Sequence, residues 1–259
     1  MTNNILENTK GIILAGGAGK RLMPLTKITS KQLLPIYNKP MIYYPLSVLI
    51  NSGIKEILII TTPEDQVNFK KLLATGKEFG VTIDYEVQNK PEGIAQTFII
   101  SEDWINHSNV TLILGDNLFF GPNLSDLIND CIRSNEGATI FGYEVDDPER
   151  FGVVEFNDNN DVIKIEEKPK TPKSNWAVTG LYIYDSHVCE YSKSLTKSDR
   201  GELEITDLNN KYIDQNQMKV QLLNKDYSWL DTGTFDSLFE ASDYVRNFEK
   251  KHKREIIKF

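Results

Sequence analysis

An open α/β sheet is the fold this sequence predicts, and three observations carry it. Short apolar runs alternate with amphipathic stretches through the first 145 residues. The first run, Gly11-Ile12-Ile13-Leu14-Ala15, ends in Gly16-Gly17, as a buried parallel strand feeding a glycine-rich turn does. The length, 259 residues with 40% hydrophobic and 25% charged side chains, suffices to close one sizeable core around a cleft.

After that first strand, Met41 to Ile50 reads as a helix stopped by Asn51-Ser52-Gly53. Ile54 to Thr62 is an isoleucine-rich strand, and Pro63 to Ala74 a helix with proline near its start. Val81 to Val87 alternates as a strand, Ile94 to Ile105 is helical, and Val110 to Leu114 is another buried strand. Leu124 to Ile132 is a helix and Ala138 to Val145 a strand. Beyond residue 150 the pattern turns β-rich. Val153–Phe156 and Val162–Glu166 flank the turn-forming Asn157-Asp158-Asn159-Asn160-Asp161, and Trp176–Tyr184 follows as a strand. Helices over 187–195 and 205–215, a strand over 219–223 and a final amphipathic helix over 234–250 complete the chain. No repeat or linker divides it, so one domain is expected.

Composition excludes several functions. With 29 basic against 37 acidic residues the formal charge is −8, opposite to the basic footprint of a nucleic-acid binder. Anionic small substrates remain open, because a few placed cations overcome a global field locally. Cys131 and Cys189 lack metal-ligand spacing and are expected as buried thiols. Only His107, His187 and His252 are present, which disfavours zinc and histidine acid–base chemistry. No apolar run reaches the roughly 20 residues that span a bilayer. Met1 to Lys10 has neither the basic start nor the apolar core of a secretory signal, so a soluble cytoplasmic protein without membrane contact is expected.

Open α/β sheets bind ligands beyond the carboxyl ends of their strands, which directs attention to Gly16-Gly17, Gln88 and Gly115-Asp116. The sharpest motif is Leu14-Ala15-Gly16-Gly17-Ala18-Gly19-Lys20-Arg21-Leu22. Glycines let backbone amides approach an anion, and the cations after them balance phosphate charge. It is neither a Walker A loop nor a dinucleotide fingerprint, since Leu14, Arg21 and Leu22 occupy positions those patterns reserve for other residues. Alone, it is equally a tight strand-to-helix turn.

Its company gives it meaning. Ser30-Lys31-Gln32-Leu33-Leu34-Pro35, Pro91-Glu92-Gly93, Leu114-Gly115-Asp116-Asn117, Glu166-Glu167-Lys168-Pro169, the run Arg200 to Asp207 and Trp229-Leu230-Asp231-Thr232-Gly233 follow in order. Together they resemble the sugar nucleotidyltransferase superfamily, from Gly11 to about Glu249, and within it most closely the thymidylyltransferase branch. The resemblance implies a Rossmann-like three-layer α/β/α core with a mixed, mostly parallel sheet. It also implies a nucleotide-binding half over 11–145, a β-rich sugar-binding half over 146–235 and a C-terminal helix over 236–259. The implied reaction joins dTTP to glucose 1-phosphate, giving dTDP-glucose and pyrophosphate for a deoxysugar pathway. Its nucleophile is already an anion, so placed charge and a hard metal, rather than a strong base, carry the chemistry.

By the same resemblance Arg21, Lys31 and Lys168 are the catalytic cations. Leu14, Gly16, Gly17, Gly19, Gln32, Gln88 and Gly93 would bind the nucleotide, with Gln88 reading the base edge through an amide that both donates and accepts. Asn117, Phe151, Gly152, Glu167, Val178, Thr206 and Trp229 would surround the sugar phosphate. Asp116 and Asp231 would hold Mg²⁺, which is satisfied by one or two carboxylates plus substrate oxygens. Many relatives carry Tyr where Phe151 stands, so a hydroxyl contact is replaced by ring packing alone. The resemblance also implies a homo-oligomer, tetramer or dimer. The chain stops soon after Lys250, short of the further helices usual in this branch, which leaves assembly and feedback regulation open. UTP or another sugar 1-phosphate as substrate stays open, as does a sensing subunit that binds sugar nucleotide without turnover. Retention of Arg21, Lys31, Asp116, Lys168 and Asp231 argues for catalysis.

Overall fold

The first strand, β1 (Thr9–Ala15), is the spine of the molecule, and a computed structural model describes what surrounds it over residues 5–17, 19–159 and 161–259. Ala18 and Asn160, parts of the glycine motif and of the Asn157–Asp161 turn, lie outside the described residues, as do residues 1–4. A minimal hairpin, β2 (Pro35–Ile36) and β3 (Lys39–Pro40), precedes α1 (Tyr43–Asn51). Then come β4 (Glu56–Thr61), α2 (Gln66–Leu73), β5 (Thr82–Val87), α3 (Gln96–Ile100), α4 (Glu102–Ile105) and β6 (Asn109–Leu114). The middle holds β7 (Asn117–Phe120), α5 (Leu124–Arg133), β8 (Ala138–Glu144), β9 (Gly152–Phe156), β10 (Val162–Glu167) and β11 (Trp176–Tyr184). The chain ends with α6 (Val188–Lys193), α7 (Ile205–Asp214), β12 (Met218–Leu223), β13 (Ser228–Asp231) and α8 (Phe235–His252).

Nine strands form one mixed sheet, ordered β10-β9-β11-β6-β1-β4-β5, with β8 also on β11 and β12 on β8. The β6-β1-β4-β5 part is parallel, as continuous apolar strands predict, and β11 runs antiparallel to β6, β8 and β9. Period-two alternation sorts the core onto two faces. Ile13, Ile57, Ile59, Ile113 and Leu181 point to the layer of α1, α2 and α5, while Ile12, Leu58, Ile60, Leu112 and Tyr182 join Phe98, Leu208 and Tyr212 of α3 and α7. The expected three-layer α/β/α arrangement is present. Cys131 and Cys189 are both buried and free, and Tyr44, Tyr182 and Tyr184 are core residues.

Four local expectations are corrected. The helix expected from Met41 begins at Tyr43, because the Met41 and Ile42 amides donate to Leu34 O and Gln32 O at 2.9 Å each and so belong to the preceding turn. The helix expected over 94–105 is broken at Ser101, whose backbone leaves helical geometry. Pro63 precedes its helix by three residues, α2 starting at Gln66. The C-terminal helix expected over 236–259 ends at His252, where Lys253 takes a left-handed φ of 51°. Gly115-Asp116 turns the chain from β6 into β7, which pairs antiparallel with β13 and sets Asn117 opposite Asp231. α8 then closes over this ribbon. Thr234 and Ser237 form a reciprocal cap at its start, and Ala241 and Val245 pack with Ile36, Tyr44, Leu118 and Phe120.

Candidate active site

The parallel strands β1 and β6 end side by side, and the Gly115 amide donates to Leu14 O at 2.9 Å. Leu14 and Asp116 are thereby fixed side by side at the carboxyl ends of two central strands. Beyond β1 the chain turns through Gly19, whose φ of 57° is left-handed and whose missing Cβ makes room for Thr26. Thr26 Oγ1 donates to Gly19 O at 2.8 Å and ties the turn down. Gly17 is open on its Cβ side, leaving its backbone approachable. Gly17, Gly19, Arg21, Lys31, Gln32, Asp116 and Gly233 share one hollow of about 230 Å³. A larger cavity, about 1000 Å³, lies along β12 and the β9–β10 hairpin, and no candidate residue lines it. Size alone does not find this site; charge does.

Lys31 is only 7% exposed, and its Nζ lies 2.6 Å from Asp116 Oδ2. Thr232 Oγ1 donates to Asp116 O at 2.9 Å, locking the β7–β13 ribbon beneath the carboxylate. Burial pushes the Asp116 carboxyl up, but the charge and hydrogen bond of Lys31, aided by Asn117, outweigh it and hold it below the usual carboxylate range. Asp231 goes the other way. Burial and then the neighbouring Asp116 raise it, against the partial relief of Lys31, Arg21 and Arg150. Two carboxylates are thus pressed together with less cationic relief on one than on the other. Arg21 is exposed in the same hollow, its guanidinium and Asp231 Oδ2 both flanking Gly233.

Asn117, expected against the sugar phosphate, is 3% exposed with its carboxamide engaged inside the protein. Its Oδ1 accepts from Trp229 Nε1 at 2.6 Å and from the Gly180 amide at 3.1 Å, while its Nδ2 donates to Asp116 Oδ1 at 3.0 Å. It orients the acid and the indole together. Gly180 lies close beneath this amide, where a Cβ would stand 2.5 Å from Asn117 Oδ1.

Gln88 follows β5 and is buried, its backbone amide donating to Thr61 O at 2.9 Å. Its Oε1 rests against Gly16, where a Cβ would come within 2.5 Å of it. Gly93 has φ of 104°, and a Cβ there would overlap the Leu203 backbone. Only glycine fits, a packing reason that the motif did not supply. Gln32 is also buried and accepts from Ser30 Oγ at 2.6 Å.

A second cluster forms where β9 and β10 pair Gly152 with Glu167. Glu167 Oε2 accepts from Thr206 Oγ1 at 2.7 Å, and Gly152 lies against both side chains. Lys168 takes a left-handed φ of 46°, its amide donating to Phe151 O at 2.9 Å and its half-exposed Nζ standing 3.4 Å from Glu167 Oε1. The Phe151 and Trp229 rings pack at 5.2 Å, and Val178 is buried in the neighbouring β11. Trp229 therefore touches both clusters, through its ring and through Asn117. Sequence reasoning did not single out Arg200, Glu204 or Thr232. Arg200 NH2 reaches Glu204 Oε2 at 2.8 Å and Glu167 Oε1 at 3.4 Å, and stood within a quoted motif.

Such a site can grip a polyanion beside a hydroxyl-rich ligand. Glycine amides and Arg21 face one end, a carboxylate pair lies at the centre, and Glu167, Thr206 and Lys168 face the other. No histidine, cysteine, aspartate or glutamate cluster of three or more capable of holding a metal occurs among the described residues. No helix among them is long and apolar enough to cross a membrane.

The family model described as nucleotidyl transferase matches residues 10–247. The chain is 55% identical over 240 residues to the glucose-1-phosphate thymidylyltransferase of Neisseria meningitidis serogroup A, covering 93% of this chain and 83% of that one. It is 50% identical to the enzyme of the same name from Mycobacterium tuberculosis, covering 93% and 84%. Among solved structures, a Bacillus anthracis chain provisionally described by that name, crystallised with sucrose, superposes at a TM-score of 0.85 with 44% identity, covering 92% and 96%. A UDP-glucose pyrophosphorylase complexed with UDP-glucose shares the fold, at a TM-score of 0.80 and 21% identity, covering 95% and 99%.

Proposed function

Because the chain belongs to the nucleotidyl transferase family, we propose that it transfers a thymidylyl group from dTTP to glucose 1-phosphate, giving dTDP-glucose and pyrophosphate. One observation carries this reading: Lys31, Arg21, Asp116 and Asp231 converge at the ends of β1 and β6, beside the Glu167–Thr206 pair. The 11–145 half holds the nucleotide, the 146–235 half the sugar, and within the remaining 236–259 segment α8 closes over the β7–β13 ribbon.

The amides of Gly16, Gly17 and Gly19 cradle the triphosphate, and Arg21 and Lys31 face the departing pyrophosphate. A cation there lowers the barrier by binding more strongly as charge develops on the leaving group. Glu167 accepts from sugar hydroxyls with Thr206 holding its second oxygen, and Gly152 and Val178 offer backbone groups. Lys168 neutralises the sugar phosphate and so reduces repulsion between two anionic reactants. Phe151 and Trp229 form the apolar wall.

Mg²⁺ suits the donor set of Asp116 and Asp231. They are two hard oxygen donors, and both the burial and the neighbouring Asp116 charge that raise Asp231 are offset by a divalent cation. When bound, the ion supplies charge neutralisation at the phosphates. Asn117 and Lys31 keep the Asp116 oxygens oriented for it. We also assign the reaction to the cytoplasm and the active form to a homo-oligomer with a second copy of this chain. Phe239, 72% exposed, and Phe235 share one face of α8 one turn apart and support that assembly.

A pyrophosphate-release assay crossing dTTP, UTP and CTP with several sugar 1-phosphates tests the reading. Highest kcat/KM for dTTP with glucose 1-phosphate is expected. Release fastest with another pair reassigns the substrate, and binding without release with any pair favours the sensing role.

A further inference from the structure

Gln88 does not lie free at the nucleotide cleft; it is the last member of a directed chain of hydrogen bonds. Lys197 Nζ donates to Glu92 Oε1 at 2.6 Å. Glu92 Oε2 accepts from Gln96 Nε2 at 2.8 Å, and Gln96 Oε1 accepts from Gln88 Nε2 at 2.7 Å. The Gly93 carbonyl takes the other Gln88 N–H at 3.2 Å.

The direction of the chain is set at its outer end. An ionised carboxylate can only accept, and Lys197 hydrogen-bonded beside it holds Glu92 below the usual carboxylate range. Gln96 must therefore turn its NH₂ toward Glu92 and its oxygen toward Gln88. Gln88 must in turn spend both N–H groups on Gln96 and Gly93, since a primary amide has only two. Gln88 therefore meets a base as an acceptor alone, not as the donor and acceptor together that the sequence leads one to expect. Its Oε1 is left at Gly16, and among the described residues no donor reaches it.

We propose that Gln96 is a positioning residue that fixes the Gln88 carboxamide with its oxygen toward the base, so that the site accepts a thymine or uracil imide and rejects cytosine. This rests on the reading of Gln88 as the base-reading residue. A fixed acceptor suits the N3–H of thymine or uracil. The same atom of cytosine carries a lone pair, and two acceptors facing each other in a buried site leave both unpaired. Were Gln88 free to turn over, its NH₂ would serve cytosine equally well. Discrimination between the pyrimidines then depends on Gln96 and Glu92 as well as on Gln88 itself.

The experiment compares kcat/KM for dTTP, UTP and CTP at saturating glucose 1-phosphate in the full-length wild type and three variants. Gln96→Lys offers a donor where Gln96 accepted and keeps a partner for Glu92. It is expected to lower the dTTP-to-CTP ratio by about ten-fold or more, with the KM for glucose 1-phosphate unchanged. The exchange Glu92→Gln with Gln96→Glu keeps an acceptor facing Gln88 and is expected to retain the wild-type ratio. Gln88→Leu tests the underlying reading and should weaken dTTP use. An unaltered ratio in Gln96→Lys, while Gln88→Leu changes it, overturns the proposal and spares the reading. Unaltered dTTP kinetics in Gln88→Leu overturn the reading itself. Should Gln96→Lys not fold, loss of selectivity in the exchanged pair is the overturning result.

Discussion

Lys31 Nζ and Asp116 Oδ2 lie 2.6 Å apart, joining the segment after the glycine turn to the end of β6 across 85 residues of sequence. The pair keeps Asp116 ionised and aimed into the cleft, where Asn117 holds its other oxygen. Asp116→Asn preserves shape and removes the charge. Turnover in the pyrophosphate assay should fall about 10²- to 10³-fold, with the chain still folding cooperatively by circular dichroism. Undiminished turnover removes Asp116 from the machinery.

The Lys168 side chain is half-exposed and pairs with Glu167 at the surface, so it contributes little to folding. Lys168→Ala should raise the KM for glucose 1-phosphate about ten-fold or more, and the KM for dTTP far less. Equal changes in both constants contradict a role on the sugar phosphate.

Two glycines separate folding from binding. Gly93→Ala forces a Cβ into the Leu203 backbone at a φ of 104° and should cost about 3 kcal/mol or more in urea unfolding. Gly17→Ala meets nothing within 4 Å. It should leave the unfolding midpoint nearly unchanged while weakening dTTP, whose phosphates need the bare backbone. Equal stability losses in the two variants contradict this division.

Burial pushes the thiols of Cys131 and Cys189 up to about 11. The thiolate is the reactive form, so native protein at pH 8 should label slowly with a thiol reagent and rapidly once unfolded. The linkage has a definite sign. The unfolded thiols ionise first, near the ordinary value of 9.0. Their stabilising contribution is therefore complete below that pH and is lost as pH rises toward about 11. Fast labelling of the native chain at pH 8 contradicts their burial.

The parallel strands were legible because buried strands write themselves as continuous apolar runs: Ile12–Leu14, Ile57–Ile60 and Leu112–Leu114 each read correctly from local sequence. The ribbon of β7 and β13 was not. Each strand has four residues, too few to show a period, and each finds its partner more than a hundred residues away. That ribbon brings Asp231 to Asp116, so their adjacency was readable only through the motif resemblance. Asn117 carried no local sign that its amide would be used up by Trp229 and Gly180. Gln96 was equally silent, since a glutamine opening a helix is ordinary until Glu92 and Gln88 are placed beside it.

The proposed thymidylyl transfer is followed most directly by ³¹P NMR of the wild-type chain with dTTP, glucose 1-phosphate and Mg²⁺. Equimolar growth of pyrophosphate and of a dTDP-glucose diphosphate signal is expected as both substrates decline. Unchanged spectra, or release of orthophosphate without a sugar-linked diphosphate, would contradict that transfer.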